Sequence, residues 1–213
     1  MDFTLSAPMG KNGTMTTDAV PKPGPKRAVM RPKKKWGWLV MLVVIVVLFG
    51  GGYGFFRLSN ALAASRYEEH ITSGDTAGVL AIPRFGAEWR VPVIAGTSLA
   101  DLRQGVGWYD GTAAPGQVGN FALAGHKLGW GQPFEHLADL QVGDEINVTV
   151  GDDTYTYTVI TGPTTVSNKD VDVLAPVPGD PTRTPTKALI TLTTTATWLP
   201  SPSRVVVVGE LSG

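Results

Sequence analysis

The chain has 213 residues, a formal net charge of zero and no cysteine. Disulfide bonds and zinc–thiolate sites are therefore excluded, and packing must stabilise the fold. The zero net charge conceals an asymmetry, because residues 1–35 contain eight Lys or Arg against only Asp2 and Asp18. Eight minus two gives this segment a charge of +6 and leaves the rest of the chain at −6. Its place in the chain, just before an apolar segment, favours a membrane-related role over nucleic-acid binding.

The first 56 residues read as a tail followed by a membrane anchor. Residues 1–35 are rich in Gly, Pro, Lys and Thr, which predicts a disordered basic segment. Residues 36–56, WGWLVMLVVIVVLFGGGYGFF, are uncharged. As a helix they would extend about 31 Å, enough to cross a hydrocarbon core of about 30 Å. Aromatic residues at both ends suit the membrane interfaces, and the preceding Lys and Arg predict a cytoplasmic N-terminus.

We interpret the apolar segment as a retained transmembrane helix, because a cleaved signal peptide usually has an apolar region of about 7 to 15 residues. Ala61 and Ala63 form an A-x-A-like pattern that leaves cleavage as the alternative. A buried helix of a soluble protein is disfavoured, since the segment has no polar face. The sequence thus predicts a single-pass protein of the cell membrane, with residues 57–77 as a helical stalk and the main domain outside the cell.

From about residue 78 the sequence is typical of an all-β domain. Short runs of β-branched and apolar residues alternate with Gly, Pro, Asn and Asp. A region of this size, residues 78–213, can form a single closed β-barrel with its own core. Two short helices are predicted at 97–105 and 133–140. The predicted strands are 78–85, 88–96, 119–126, 145–151, 153–162, 188–194 and 204–211.

His126 is the histidine whose context suggests chemistry. It closes an apolar predicted strand and precedes a Gly-rich loop, whereas His70 lies in the polar stalk and His136 in a predicted short helix. An imidazole with a usual pKa near 6.5 can transfer protons, and loops on rigid scaffolds often carry function. A single histidine beside a loop is nevertheless more often structural, so His126 alone does not define a site.

A second group of polar residues lies at the end of the predicted strand 188–194. Thr193, Thr194 and Thr195 lie at its tip, and Arg204 follows nine residues later. An arginine stays protonated and can donate hydrogen bonds to developing negative charge. The plain alternatives are β-propensity for the threonines and a carboxylate partner for Arg204.

Metal, cofactor and nucleotide functions receive no support from the sequence. Three scattered histidines without cysteine form no metal site, and the acidic pairs in loops are typical of hairpin turns. A P-loop, a Rossmann glycine pattern and a basic aromatic stripe are all missing. We therefore expect no metal, no cofactor and no nucleic-acid partner.

The order and spacing of these motifs resemble the sortases, and within them the class E sortases of Gram-positive actinobacteria. The similarity extends over essentially residues 78–211. It implies a closed sortase-type β-barrel of about eight strands with a membrane anchor and cysteine transpeptidase chemistry. The stretches that carry it are residues 82–127, which include LAGHK, residues 133–146, which include LQVGDE, VLAPV at 173–177, and ITLTT followed by Arg204.

The resemblance also implies the reaction and its partners. In sortases a thiolate attacks the Thr–Gly bond of a sorting signal on a surface protein, LPXTG-type in general and LAXTG-like in class E. An amine from a peptidoglycan precursor or a pilin lysine then resolves the thioacyl-enzyme. By this similarity His126 matches the catalytic histidine and Arg204 the arginine that steadies the substrate carbonyl and oxyanion. Thr193 and Thr194 match residues that are expected to line or support the groove.

Thr195 departs from the family pattern, because it occupies the position of the catalytic cysteine. A threonine hydroxyl is far less acidic than a thiol, and catalytic threonines normally depend on a strong base such as their own α-amine. Thr195 is internal and has no such amine. Residues 196–198, Ala-Thr-Trp, also differ from the polar, often proline-bearing continuation of the family.

Three hypotheses are compatible with this departure. The first is a class E sortase that is inactive because the codon for its nucleophile has been changed. The second is a natural pseudo-sortase that binds sorting signals or acts in assembly without catalysis. The third is a weak hydrolase with Thr195 as nucleophile. In all three the expected partners are a sorting-signal peptide and, through residues 36–56, membrane lipid, and the first adds an amine acceptor.

Overall fold

The computed structural model describes residues 36–74, 76–195 and 201–212. The predicted basic tail, residues 1–35, and the unusual residues 196–198 lie outside the described residues.

A single long helix, α1, extends from Trp36 to Ser73 over 38 residues. It therefore continues through the apolar segment and into the predicted stalk without a break. Its part from Trp38 to Ser73 is long and apolar enough to cross a membrane, by length and composition.

The second half of α1 packs on the β-domain. Ala63 and Tyr67, one turn apart, are buried, and Tyr67 belongs to the hydrophobic core cluster. Next to them, Glu68 accepts two hydrogen bonds from the Arg90 guanidinium, with N···O distances of 3.2 and 2.9 Å. The helix is thus attached to the domain by an apolar contact and by a bidentate ion pair.

Eight strands form a closed barrel, which confirms the predicted all-β fold. The strand order around the barrel is β1-β2-β3-β4-β7-β8-β6-β5. Two neighbouring pairs, β2 with β3 and β4 with β7, are parallel, and the other pairs are antiparallel. The strands are β1 (Gly78–Ala81), β2 (Arg90–Ala95), β3 (Val106–Trp108), β4 (Gly119–Ala124), β5 (Glu145–Val150), β6 (Asp153–Ser167), β7 (Ala188–Thr195) and β8 (Ser203–Leu211).

The strand β3 was not predicted, because it has three residues and contains Gly107. It pairs in parallel with β2 at a very close approach: a Cβ at position 107 would lie 2.4 Å from the carbonyl oxygen of Gly96. Glycine is therefore required here by packing, and it removes the alternating side chains by which strands are recognised. The strand β6 also continues beyond its predicted end at residue 162, with register shifts opposite β8.

Both predicted short helices are reduced to single 3₁₀ turns, Asp101–Arg103 and Leu137–Asp139. Before the first turn Ser98 and Asp101 exchange two hydrogen bonds: the Ser98 amide donates to the Asp101 carboxylate and the Asp101 amide donates to the Ser98 hydroxyl. The predicted helix 97–105 is thus reduced to a turn of three residues, which begins at Asp101.

Asn120 in β4 is the buried polar residue that joins several elements at the centre of the domain. It is 1% exposed, and its amide donates to the carbonyl oxygens of Val173 and Ala175 at 3.2 and 3.0 Å. Its side-chain oxygen accepts a hydrogen bond from the Thr191 hydroxyl at 2.7 Å. A buried amide with these three partners fixes β4 against β7 and against the segment that follows β6.

Candidate active site

The sheet brings the predicted site residues to one place. Because β4 and β7 are parallel neighbours, with Ala124 opposite Thr193, their carboxyl ends lie at the same edge of the barrel. His126 follows β4 by two residues, and Thr195 ends β7 opposite Arg204 of β8. All three line one cleft with a volume of about 270 Å³.

The two threonines before Thr195 hold β7 to the end of β4. The Thr193 hydroxyl donates to the Leu123 carbonyl at 3.1 Å, and the Thr194 hydroxyl donates to the Gly125 carbonyl at 2.8 Å. Both threonines are buried, whereas Thr195 is exposed at the cleft. Thr193 and Thr194 therefore fix the backbone that leads into His126, and Thr195 is the threonine of the three that solvent reaches.

His126 is half-buried, and its environment favours the neutral imidazole. Burial, and secondarily the positive charge of Arg103, lower the pKa of His126 below its usual value of about 6.5. Its Nε2 is buried and has no hydrogen-bond partner among the described residues. At neutral pH the imidazole of His126 is therefore uncharged and can accept a proton.

The lowered pKa of His126 predicts a pH dependence of stability. Between that lowered pKa and about 6.5 the unfolded chain binds more protons than the folded chain. The free energy of unfolding is therefore expected to decrease as the pH falls through this window, and to lose this slope in His126→Gln. Urea unfolding at a series of pH values would measure it, with His136→Gln as the exposed control. An identical slope in His126→Gln and in the unmodified protein would contradict the burial of an uncharged His126.

Arg204 is held by the segment that follows β6. Its guanidinium donates to the Asn168 carbonyl oxygen at 2.6 Å, while the Asn168 amide donates to the Pro202 carbonyl at 2.7 Å. Among the described residues Arg204 has no carboxylate partner. A guanidinium has five N–H donors, so one backbone contact leaves donors for a ligand in the cleft.

Three residues near the cleft, Tyr109, Asn168 and Arg103, were not predicted from the sequence. Tyr109 and Asn168 line it, and the Tyr109 hydroxyl lies 3.3 Å from the Thr193 hydroxyl. Arg103, which acts on His126, lies in the predicted helix 97–105 and had no distinguishing feature. No sequence pattern indicates that these three approach the site, because they reach it through the unpredicted strand β3 and through loops. The described residues contain no cluster of three or more His, Asp or Glu that could hold a metal ion.

This barrel, with a histidine after β4, an exposed threonine at the end of β7 and an arginine on β8, has the features of a sortase domain. The sortase domain model of protein families matches residues 80–212. The chain therefore belongs to the sortase family, as the motifs predicted.

The relatives include class E sortases. Sortase SrtE1 of Streptomyces coelicolor is 34% identical over 145 residues, which cover 65% of this chain and 41% of that protein. Sortase SrtE2 of the same organism is 33% identical over 140 residues, which cover 63% of this chain and 55% of that protein. The matches thus span about half the length of these curated relatives.

Solved structures give the same result. Sortase E from Streptomyces avermitilis is 38% identical with a TM-score of 0.59, and the match covers 66% of this chain and 90% of that one. Sortase E1 from Streptomyces coelicolor, solved with a tripeptide in the active site, is 34% identical with a TM-score of 0.59, again covering 66% and 90%.

Proposed function

We propose that this chain is by lineage a membrane-anchored class E sortase, a transpeptidase for LPXTG- or LAXTG-type sorting signals. With Thr195 at the nucleophile position it binds these signals but does not cleave them. The observation that carries the proposal is the convergence of His126, Thr195 and Arg204 on one cleft. The family membership and the relative solved with a tripeptide in its active site support a peptide as the ligand.

The reaction for which the scaffold is suited follows from these positions. A thiolate at position 195 would attack the carbonyl carbon of the substrate Thr, while Arg204 donates hydrogen bonds to the oxyanion. The C–N bond to Gly then breaks, and the leaving amine takes a proton from His126. An acceptor amine next attacks the thioester, gives its proton to His126 and releases the thiolate with a new amide bond.

With Thr195 at the nucleophile position, this reaction does not proceed beyond its first step, the attack on the substrate carbonyl. The hydroxyl must lose its proton during attack, and His126 is the base available in the cleft. Burial and Arg103 lower the pKa of His126, which makes it a weaker base. The hydroxyl itself is far less acidic than a thiol, so the complex with the peptide is expected to remain non-covalent.

The membrane arrangement is part of the proposal. The apolar half of α1 would anchor the chain as a single-pass protein, and the Lys and Arg excess before it favours a cytoplasmic N-terminus. The barrel would then face the cell surface, where sorting signals and amine acceptors of peptidoglycan precursors or pilins are found.

A natural pseudo-sortase is the second candidate, and the intact cleft favours it. Thr193 and Thr194 keep their hydrogen bonds to the end of β4, and Arg204 keeps an anchored guanidinium. Sequencing the source gene at codon 195 separates the two candidates: a threonine codon supports the pseudo-sortase, and a cysteine codon supports the transpeptidase.

Binding without cleavage is the expected result for the full chain in lipid nanodiscs. A fluorescent peptide that contains an LAXTG-type signal should bind, and Arg204→Ala should weaken that binding about tenfold or more, because a charged hydrogen bond is lost. Fluorescence anisotropy would measure it, with a scrambled peptide as control. Equal binding of the scrambled peptide would refute the proposal, and release of a glycine-containing fragment in mass spectrometry would refute inactivity.

A further inference from the structure

The loop that follows His126 has an unusual backbone. Gly129, Trp130, Gly131 and Gln132 have φ values of 74, 51, 83 and 50°, four successive residues in the left-handed region. Among the non-glycine residues that the structure describes, Trp130 and Gln132 are the ones with positive φ. This conformation is costly for residues with a Cβ, so surrounding contacts must hold it.

One of those contacts comes from α1. The Tyr67 hydroxyl donates to the Trp130 carbonyl oxygen at 2.5 Å, and Tyr67 is 5% exposed. Its ring lies so close to Gly131 that a Cβ at that position would be 2.5 Å from the Tyr67 hydroxyl oxygen. The tip of the loop is thus fixed on the helix, while its base is closed by the Phe134 amide, which donates to the His126 carbonyl at 3.0 Å.

The same loop is connected to the site by a second contact. The Arg103 guanidinium lies 4.5 Å from the centre of the Trp130 indole ring, a cation–π arrangement. Arg103 follows Leu102, which lines the cleft together with His126, and its positive charge contributes to the lowered pKa of His126. The orientation of Trp130 therefore bears on where the positive charge next to His126 is held.

We propose that Tyr67 of α1 is a positioning residue of the candidate site: it fixes the loop 127–132 and, through Trp130, keeps Arg103 beside His126. The relevance of His126 to catalysis rests on the proposed function. The contacts of Tyr67 with the loop are independent of that function. The segment that precedes the barrel is then part of the site's framework, and the bidentate contact between Glu68 and Arg90 holds it in place.

Hydrogen exchange on the full chain in nanodiscs tests the proposal without any ligand. The variant Tyr67→Phe removes one hydroxyl and keeps the ring that packs on Gly131. The reporting amides are Gln132, which donates to the Gly129 carbonyl, and Phe134, which donates to the His126 carbonyl. We expect both to exchange about tenfold faster in Tyr67→Phe, as the loss of one buried hydrogen bond predicts. The control is Tyr53→Phe, on the same helix at a position that is 65% exposed.

The distribution of the change decides the result. Faster exchange at Gln132 and Phe134, with the Gly143 amide unchanged in its hydrogen bond to Val159, supports a local positioning role. Unchanged exchange at the loop overturns the proposal, and so does an equal acceleration at Gly143, which would show a general loss of stability.

The ring resonances of His126 give a second readout. In a spectrum of protein with isotope-labelled histidine they should move in Tyr67→Phe and stay in place in Tyr53→Phe. Unmoved His126 resonances together with a freed loop would overturn the connection from Tyr67 to the site. Neither measurement uses a peptide, so failure of the proposed function and failure of this inference are distinguishable.

Discussion

Thr195→Cys is expected to convert the chain into an active transpeptidase that cleaves an LAXTG-type peptide between Thr and Gly. The rate should rise at least about 10³-fold over the unmodified protein, since removal of a nucleophile from a protease triad costs more than this. Mass spectrometry of the peptide fragments, with and without an added amine, would measure both cleavage and transfer.

The reason for this gain lies in the histidine. A thiolate placed in the same cleft as His126 would stabilise the imidazolium, and so raise its pKa from the lowered value that burial and Arg103 impose. The histidine could then protonate the leaving amine. A hydroxyl at position 195 remains neutral and gives no such stabilisation. The single substitution Thr195→Cys therefore supplies the nucleophile and also favours the protonated His126 that acts as the acid.

Two variants serve as controls for the cysteine. Thr195→Ser removes the branching methyl but adds no thiol, so it should remain inactive and show that the gain is not steric. Thr195→Cys combined with Arg204→Lys should lose about 10² to 10³ of the gained activity, because lysine cannot reproduce the geometry of the guanidinium donors. A Thr195→Cys protein without any cleavage would show that further changes, such as those at residues 196–198, have disabled the site.

Asn120→Ala is expected to lower the free energy of unfolding by about 3 kcal/mol. The substitution leaves the carbonyls of Val173 and Ala175 and the hydroxyl of Thr191 without their partner inside the domain. Each unsatisfied buried polar group costs about 1 to 3 kcal/mol, and partial rearrangement reduces the sum. Pulse proteolysis across a urea gradient would measure the loss.

The matched control is Asn147→Ala on β5. Asn147 is half-buried and accepts one hydrogen bond, from the Thr156 hydroxyl at 2.8 Å. Its removal should cost about 1 kcal/mol or less. Equal losses for the two asparagines would contradict the role of Asn120 as the polar connection between β4, β7 and the segment after β6.

The sequence predicted those parts of the fold in which chemistry and periodicity agree. The strands β4 and β7 were found because their apolar runs end in recognisable motifs at His126 and Thr195. The strand β3 was missed because Gly107 has no side chain to alternate, and its need for glycine arises only from the approach of the Gly96 carbonyl. Such a requirement is set by tertiary packing and leaves no local signal.

The same limit applied at the site. Family motifs predicted His126 and Arg204 as site residues, whereas the contacts of Arg103 and Tyr67 join segments far apart in the chain. Tyr67 falls within the predicted stalk, residues 57–77, whereas it is buried against the loop after His126. A helix next to an apolar segment gives no sequence signal for which of its residues will dock on a barrel.

In the proposed arrangement, the continuous helix also determines how far the cleft lies from the membrane. From the end of the apolar segment at residue 56 to Tyr67 there are eleven helical residues, or about 16 Å along the axis. With the proposed anchor in a bilayer, the loop at the cleft is held at most about that far from the apolar layer. A substrate tethered in the same membrane would need about five extended residues to reach it. In this proposed arrangement the length of the helix between the anchor and Tyr67 limits the distance between the cleft and the bilayer.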